Sequence, residues 1–231
     1  MNGIIGGTSL LKSDIFALWT EEKIKTPYGN VYLKIKQNTV FIQRHGNPQV
    51  PPHRINHKAN IQALKNIGIE KIISINSVGT LKLKFKPGTF VIPDDFISLW
   101  NIPTFIEKEL NFIVPSMDKD MRERLASLCK ELNIPVHTGG VYIQTTGPRL
   151  ETKAEIRFLK KLGDIVGMTM ASEATLCMEY KIPYVSLCSV DNYCNGILKE
   201  SLTTEEINMN CHNNLRAIEI ILNTLIEKDF E

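Results

Sequence analysis

The chain has 231 residues, of which 43% are hydrophobic, and its 27 basic and 25 acidic side chains leave a formal net charge of only +2. This size and composition suit one large buried core, so we expect a single domain spanning residues 1–231. The basic residues are scattered, which argues against a nucleic-acid partner, and no apolar run approaches the roughly 18 residues of a membrane span.

The cysteines and the N-terminal sequence give information on the cellular compartment of the protein. The five cysteines are odd in number and lack CxxC spacing, which argues against a disulfide framework and against a zinc site. The opening "MNGIIGGTSL" has neither the basic nor the long apolar region of a secretory signal. We therefore expect a soluble cytoplasmic protein without a bound metal.

The first third of the chain is predicted to be rich in strands. "GIIGGT" indicates a short buried strand that breaks into a glycine turn, and "NVYLKIKQNTVFIQRHG" indicates two strands joined at Gln37 and Asn38. "INHKANIQALKNIG" then has an approximate helical stripe that ends at Gly68, and the apolar strand "EKIISIN" follows it.

The remaining elements repeat this alternation after a loop-rich segment at 93–117. We predict a helix near 118–132, a strand at "VYIQTT", a helix at "ETKAEIRFLKKLG", a strand at "DIVGM", a helix at "ASEATLCMEYK" and a strand at "YVSLCSV". A last amphipathic helix covers 203–228, with Thr203 or Thr204 as its N-cap. Strands that alternate with helices predict an α/β fold with a layered sheet.

Hydrogen-bond donors gather where the predicted strands end. Ligands of such sheets bind beyond the carboxyl ends of strands, and glycine N–H groups, hydroxyls and a guanidinium fork together suit an oxyanion such as phosphate. Taken singly, the glycine turn, the Arg-His pair and the "NSVGT" turn each have an ordinary structural reading. Their co-occurrence carries the inference, and the candidate residues are Gly6, Gly7, Thr8, Arg44, His45, Asn76, Ser77 and Thr169.

Several motifs in order resemble the purine nucleoside phosphorylase family, in its methylthioadenosine and methylthioinosine phosphorylase branch. The matching segments are "IIGGTSL", "RHG", "PPHRINHKANIQALKNIG", "NSVGTLK", "KPGTFVIPDDFI", "TTGPRLETKAEIRFLKKLGDIVGMTMASEATLCMEYKIPY" and "SVDNYCNGI". The resemblance implies a central mixed β-sheet flanked by helices and a homotrimer or dimer of trimers with sites near subunit interfaces. It also implies phosphorolysis of a purine nucleoside with inorganic phosphate as co-substrate and no metal or organic cofactor.

The resemblance also implies roles for individual residues. Thr8, Arg44, His45, the Asn76-Ser77 pair and Thr169 would hold phosphate, and Met168 would pack against the ribose. Glu151 and Asn192 would face the base. Taken alone, Glu151 could equally be a helix N-terminal acid and Asn192 a loop amide that satisfies nearby backbone.

The hydrogen-bonding groups of Asn192 and Glu151 favour a 6-oxopurine as the base of the substrate. The Asn192 amide can donate to O6 and accept from a protonated N7, and Glu151 can accept from N1–H; adenine presents the opposite edge. Adenine-specific relatives carry Asp in place of Asn192 and "EGP" in place of residues 146–148. We therefore expect nucleosides of hypoxanthine or guanine, with methylthioadenosine as the alternative substrate.

Three positions depart from the family pattern. Asp191 stands where Thr is expected, Leu150 replaces an aromatic residue, and Gly167 replaces the Asn of adenine-type relatives. Asp191 is a further catalytic candidate, because a buried carboxyl with a raised pKa can supply a proton beside N7; the alternative is that it swings inward and weakens the selectivity for 6-oxopurines. The choice between a 5′-hydroxyl and a 5′-methylthio group stays open, although Leu202 is a candidate for lining that end.

Two other functions fit parts of the pattern. A hydrolytic nucleosidase would use water in place of phosphate, and the dense donor set argues against it. A nucleoside-binding module without catalysis would account for the glycine turn and the α/β pattern alone. Phosphate-dependent turnover separates all three.

Overall fold

The structure is a computed structural model that describes residues 1–100, 102–108, 110–200 and 202–230. Within these ranges the strands are β1 (Asn2–Gly6), β2 (Thr20–Thr26), β3 (Gly29–Lys36), β4 (Thr39–Gln43), β5 (Lys71–Thr80), β6 (Phe90–Ile92), β7 (Asp95–Ser98), β8 (Val136–Thr138), β9 (Val141–Gln144), β10 (Ile165–Gly167) and β11 (Tyr184–Tyr193). The α-helices are α1 (His57–Asn66), α2 (Lys119–Glu131), α3 (Lys153–Leu159), α4 (Met170–Glu179) and α5 (Thr204–Glu227), and short 3-10 turns cover Thr8–Leu10 and Pro52–Arg54.

All of these strands join one mixed sheet, which branches at β5. Its main path runs β2-β3-β4-β1-β5-β10-β9-β7, and β11 pairs with β5 and continues through β6 to β8. The strands β4, β1, β5 and β11 run parallel to one another, so their carboxyl ends lie at the same edge. The expected α/β fold with a central mixed β-sheet is confirmed.

Helices cover both faces of the sheet because the strand side chains alternate. Ile5 and Ile72 pack with α1 and α4 on one face, whereas Ile4 and Ile73 pack with α2 and α5 on the other. The predicted helices near 118–132 and 203–228 are confirmed, and Thr203 caps the latter by accepting from the N–H of Glu206 at 3.2 Å.

The strand predictions missed β2, β6, β7 and β8. β2 reads "TEEKIKT" and is mostly exposed, because it forms an edge hairpin with β3 and has no buried face to impose alternation. β6 and β8 have three residues and β7 has four, too few for a periodic signal. The loop assignment of 93–117 was therefore wrong at Asp95–Ser98.

Two central strands run further than their apolar stretches. β5 continues to Thr80, so Asn76 and Ser77 lie within a strand rather than at its end, and the turn reading of "NSVGT" was wrong. β11 continues to Tyr193 and includes Asn192. The two strands pair along their whole length, which keeps polar residues extended beyond the last apolar one.

Candidate active site

A cavity of about 200 Å³ lies at the carboxyl ends of β5, β10 and β11 and is closed by the start of α5. It brings together nine of the ten residues to which the sequence analysis gave a phosphate-binding, ribose-binding, base-binding or catalytic role. Its lining consists of Thr8, Arg44, His45, Pro52, Ser77, Val78, Gly79, Leu150, Glu151, Val166, Gly167, Met168, Thr169, Asp191, Asn192, Cys194, Asn195, Leu202 and Ile207. The tenth nominated residue, Asn76, lies outside this lining.

The α4 side of the cavity is built on a buried ion pair. The Arg44 Nε donates to Glu173 Oε1 at 2.6 Å, and its Nη2 donates to the Ser74 hydroxyl at 2.7 Å. Tyr184 donates to Glu173 Oε2 at 3.0 Å. Burial alone would raise the pKa of Glu173, but the Arg44 charge and the hydrogen bonds from Arg44 and Ser74 hold it below the ordinary value.

Gly7 explains how Arg44 reaches this position. A Cβ at Gly7 would lie 1.9 Å from Arg44 Nη1, so only glycine allows the guanidinium to lie against the backbone after β1. With Nε and Nη2 held by Glu173 and Ser74, Nη1 is the part of the fork nearest the glycine turn. Gly7 of the "GGT" motif thus leaves the space in which the Arg44 guanidinium packs against the backbone.

Asn76 positions Thr169 from behind the cavity wall. Its amide donates to Thr169 Oγ1 at 2.9 Å, and its carbonyl oxygen accepts from Ser74 and Ser186, each at 2.8 Å. Thr169 itself lines the cavity. Asn76 therefore connects the Arg44 network to a cavity hydroxyl.

His45 is fixed in one orientation by its backbone. Its Nδ1 lies 2.8 Å from the carbonyl oxygen of Val50 and donates to it, because a carbonyl only accepts. Burial lowers the pKa of His45, which favours the neutral ring with a bare Nε2. A neutral His45 thus presents an acceptor, which a hydrogen phosphate O–H can satisfy.

Hydroxyls line the opposite, α5 side. Thr8 Oγ1 donates to Ser77 Oγ at 3.1 Å, and Ser77 shares a hydrogen bond of 2.6 Å with Ser9. Ser9 in turn lies 3.3 Å from the Ser189 hydroxyl. Thr8, Ser9, Ser77 and Ser189 form a continuous chain of hydroxyls across the 3-10 turn that follows β1 and across β5 and β11, which we call the hydroxyl chain.

Asp191 lies beside the hydroxyl chain, on a β-bulge, where Ser77 and Ser189 influence its carboxyl. The register of β11 against β5 shifts between Val190 and Asn192, so Asp191 is the extra residue and its side chain turns toward α5. Asn214 donates to its Oδ1 at 2.8 Å, whereas the buried Oδ2 has no hydrogen-bond partner in the described part of the chain. Burial raises the pKa of Asp191 to about 6.

The remaining cavity wall carries Glu151 and Asn192. Thr145 donates to Glu151 Oε1 at 2.6 Å, and Glu151 precedes α3, whose N-cap is Thr152, so it does not belong to the first helical turn. Asn192 Nδ2 donates to the carbonyl oxygen of Tyr193 at 3.0 Å. Both side chains are buried, and both line the same cavity.

Apolar side chains complete the cavity. Met168 lies beside Thr169, and Leu202 and Ile207 contribute from the loop and first turns at α5. Leu150, which replaces the expected aromatic residue, lines the cavity with 43% of its surface exposed. The cavity therefore has an apolar flank between its polar walls.

Gly167 is required by a neighbouring tyrosine. A Cβ at Gly167 would lie 2.4 Å from the Tyr142 hydroxyl oxygen, which accepts from the N–H groups of Thr169 and Met170 at 3.2 and 3.3 Å. An Asn in place of Gly167 is incompatible with this arrangement. Tyr142 thus anchors the start of α4.

Sequence reasoning missed the partners that hold the site. These are Ser74, Thr145, Tyr142 and Ser186, together with Glu173, which lies inside one of the matching segments but was given no role. Glu173 had one available signal, since an acid in an otherwise apolar helical stripe calls for a buried cation.

Comparison with known proteins identifies the family of the chain. A family model described as "Phosphorylase superfamily" matches residues 3–227. The chain is 38% identical to the "Probable 6-oxopurine nucleoside phosphorylase" of Archaeoglobus fulgidus, covering 100% of this chain and 98% of that protein. It is 43% identical to the "Probable S-methyl-5'-thioinosine phosphorylase" of Methanocaldococcus jannaschii, covering 90% and 84%.

A solved structure supports the fold. The methylthioadenosine phosphorylase of Schistosoma mansoni, in complex with adenine, superposes with a TM-score of 0.85 at 22% identity, covering 96% of this chain and 89% of that one. The chain belongs to the phosphorylase superfamily. The resemblance stated from the sequence motifs is confirmed, and the protein is an enzyme of the nucleoside phosphorylase type.

Proposed function

We propose that the protein cleaves a 6-oxopurine nucleoside (5'-methylthioinosine, inosine or guanosine) with phosphate, releasing the free base and a ribose 1-phosphate or its methylthio analogue. The observation that carries this proposal is a single cavity with an arginine-centred donor set at one end and Glu151 with Asn192 on another wall. Such a reaction belongs to the salvage of purine nucleosides. It needs no metal or organic cofactor, because phosphate is itself the nucleophile.

The phosphate end supplies positioning and charge. Thr8, Arg44, His45, Ser77 and Thr169 would surround the anion beneath C1′ of the nucleoside. As the bond from C1′ to N9 lengthens, the sugar gains positive charge, and a fixed dianion stabilises that charge and is already aligned to attack. The buried Glu173 holds Arg44 in place before phosphate arrives.

The base end stabilises the leaving purine. Thr145 holds one oxygen of Glu151, which leaves the other to accept from N1–H of the base. The Tyr193 carbonyl takes one amide proton of Asn192, so the second proton can be donated to O6 and the amide oxygen can accept from N7–H. Met168 would pack on the ribose, and Asp191 would serve as an acid.

The assembly is proposed to be a homotrimer or a dimer of trimers in the cytoplasm. Leu99, Trp100 and Phe158 are 50%, 42% and 56% exposed and line a second cavity that shares Glu151 with the first. Exposed apolar groups beside a site suit burial by a second copy. Light scattering on a sizing column would measure the mass; a monomer at micromolar concentration contradicts this proposal.

In the described ranges no helix is apolar and long enough to cross a bilayer.

Base release is the direct test. Methylthioinosine, inosine, guanosine and methylthioadenosine would each be incubated with and without phosphate, and base and sugar products separated by chromatography. We expect 6-oxopurine release and a sugar 1-phosphate only when phosphate is present. Preference for methylthioadenosine would contradict the base assignment, and release without phosphate would indicate a hydrolase.

Asn192→Asp probes the base assignment within the same assay. An ionised Asp cannot donate to O6 but can accept from a 6-amino group, so the ratio of kcat/KM values for 6-amino and 6-oxo substrates should rise by about 10²-fold. Asn195→Asp is the matched control, since Asn195 also lines the cavity but its amide is directed to the Glu151 backbone. An unchanged ratio in Asn192→Asp removes the basis for the base assignment.

A further inference from the structure

We propose that Asp191 is a phosphate-site residue that takes up a proton when the dianion binds, and that its protonated form turns the hydroxyl chain toward the anion. This inference rests on the proposed function, because it assigns a role to a residue of the same cavity. In this role Asp191 acts on phosphate through Ser77 and its neighbours, before any acid role toward the purine.

The first support is the unsatisfied oxygen. Asp191 is 1% exposed and lines the cavity, and Asn214 occupies its Oδ1 while its Oδ2 has no partner within the described ranges. The Asn210 amide also donates to the Asp191 backbone oxygen at 2.8 Å, which fixes the bulge from α5. A buried oxygen without a hydrogen bond is costly when charged, and a proton on it supplies a donor.

The second support is the direction of the hydroxyl chain. Each hydroxyl has one proton to give, and Thr8 gives its proton to Ser77 rather than to the cavity. The hydroxyls of Ser77 and Ser189 lie near enough to lower the pKa of Asp191, and neither is bonded to the unpartnered Oδ2 in this structure. An ionised Asp191 therefore draws the protons of the chain toward itself.

Protonation reverses that order. A protonated Oδ2 becomes a donor beside the chain, so Ser77 can accept from it and Thr8 can turn its proton into the cavity. It also removes a negative charge that would repel a dianion held by Thr8 and Ser77. Both changes favour anion binding, so anion and proton should bind together.

Other ionisable groups face Asp191 or share the cavity, and they behave differently. Burial raises the pKa of Cys188 to about 12 and also raises that of Cys211, so both thiols stay neutral near pH 7. Asn210 and Asn214 of α5 carry no charge. The other charged or titratable cavity residues are Arg44, His45, Glu151 and Cys194, of which His45 could also gain a proton beside an anion.

Calorimetry with sulfate tests the proposal without turnover. Sulfate is a tetrahedral dianion that does not titrate near neutrality, and the heat of binding in buffers of different ionisation enthalpy gives the number of protons taken up. For the wild type we expect uptake of about one proton per sulfate at about pH 7.5, and an affinity that falls up to about tenfold per pH unit above pH 7.

Variants assign the proton to its residue. Asp191→Asn should abolish most of the uptake and flatten the pH dependence, whereas Glu151→Gln, which removes another cavity carboxyl, should keep the wild-type uptake. Asp191→Thr is a second neutral variant with the same expectation if Asp191→Asn folds poorly. Full uptake in both Asp191 variants would assign the proton to His45 and overturn the proposal, as would zero uptake by the wild type.

The outcome is separable from the proposed function. Sulfate binding and its proton count do not depend on which nucleoside is cleaved or on whether water replaces phosphate. Phosphate-dependent turnover with no linked proton at Asp191 would leave the phosphorylase assignment intact and reject only this inference. A linked proton without turnover would do the reverse.

Discussion

Glu173 and Asp191 are two buried carboxyls on opposite faces of the same sheet, and each is 1% exposed. Glu173 accepts hydrogen bonds from Arg44, Ser74 and Tyr184, and the Arg44 charge with the bonds from Arg44 and Ser74 holds its pKa below the ordinary value. Asp191 has one amide on Oδ1 and nothing on Oδ2 in the described residues, and burial raises its pKa to about 6. Equal burial thus gives opposite shifts, because the partners decide which form is favoured.

The difference separates two tasks within one cavity. The Glu173 side is a fixed network whose charges are already paired, so it can hold Arg44 ready for an anion without rearrangement. The Asp191 side contains an unsatisfied oxygen and rotatable hydroxyls, so it can change its proton count. A site that binds and later releases a dianion gains from having both.

Breaking the fixed side should have the largest effect. Glu173→Gln leaves the buried Arg44 charge without its counter-ion, and we expect a loss of about 3–5 kcal/mol in the free energy of unfolding. Urea unfolding would measure it. Glu131→Gln, which removes a solvent-exposed pair with Lys228, is the control and should change stability little. Equal effects in the two variants would contradict a structural role for the buried pair.

Neutralising Asp191 should raise the free energy of unfolding, and the size of this gain should depend on pH. The folded-state pKa of Asp191 is raised, so the folded state binds more protons than the unfolded state between the ordinary value of 3.8 and about 6, and stability falls as pH rises through that window. Asp191→Asn should therefore gain up to about 3 kcal/mol above pH 7 and only about 0.5 kcal/mol at about pH 4. Urea unfolding of both proteins at the two pH values measures the difference; a gain independent of pH would contradict the raised pKa.

A third variant tests the geometry of the fixed side in catalysis. Arg44→Lys keeps the charge but cannot reach Glu173 and Ser74 while also presenting a third donor to phosphate. We expect kcat/KM for phosphate to fall about 10²-fold, with the KM for nucleoside nearly unchanged. Initial rates measured with phosphate and nucleoside varied in turn give the kinetic constants for each substrate separately. An equal rise in both KM values would mean that Arg44 organises the whole cavity.

The fold and the polar residues at the strand ends could be predicted from the sequence, because the carboxyl ends of parallel strands lie at the same edge of a sheet. Thr8, Arg44 and His45 each follow a strand, and the topology alone brings them to one edge. Asn76 was misplaced because β5 extends beyond its apolar stretch. Alternation from Ile72 puts Asn76 on the face of α4 and Ser77 on the face of α5, and the length of the strand was the missing information.

The partners were inaccessible because they depend on distances across the fold. Glu173 is 129 residues from Arg44 in sequence, and nothing local pairs them. The bulge at Asp191 depends on the register of β11 against β5, which no period in β11 reveals. Local pattern therefore predicts which chemistry is present, and tertiary pairing decides which proton state each group adopts.

The smallest effect should come from removing the Tyr142 hydroxyl, which holds the start of α4 next to the Arg44 and Glu173 network. Tyr142 accepts from two buried N–H groups at the start of α4, and Tyr142→Phe leaves both without that partner at a cost of about 1–3 kcal/mol. Because Thr169 is one of the two, the KM for phosphate should also rise a few-fold while the KM for nucleoside holds. Tyr180→Phe, which removes a hydroxyl bonded to Gln62 away from the cavity, is the matched control. Loss of stability with no change in phosphate KM would show that α4 keeps Thr169 in place without Tyr142, and that the fixed side depends on the Arg44 network alone.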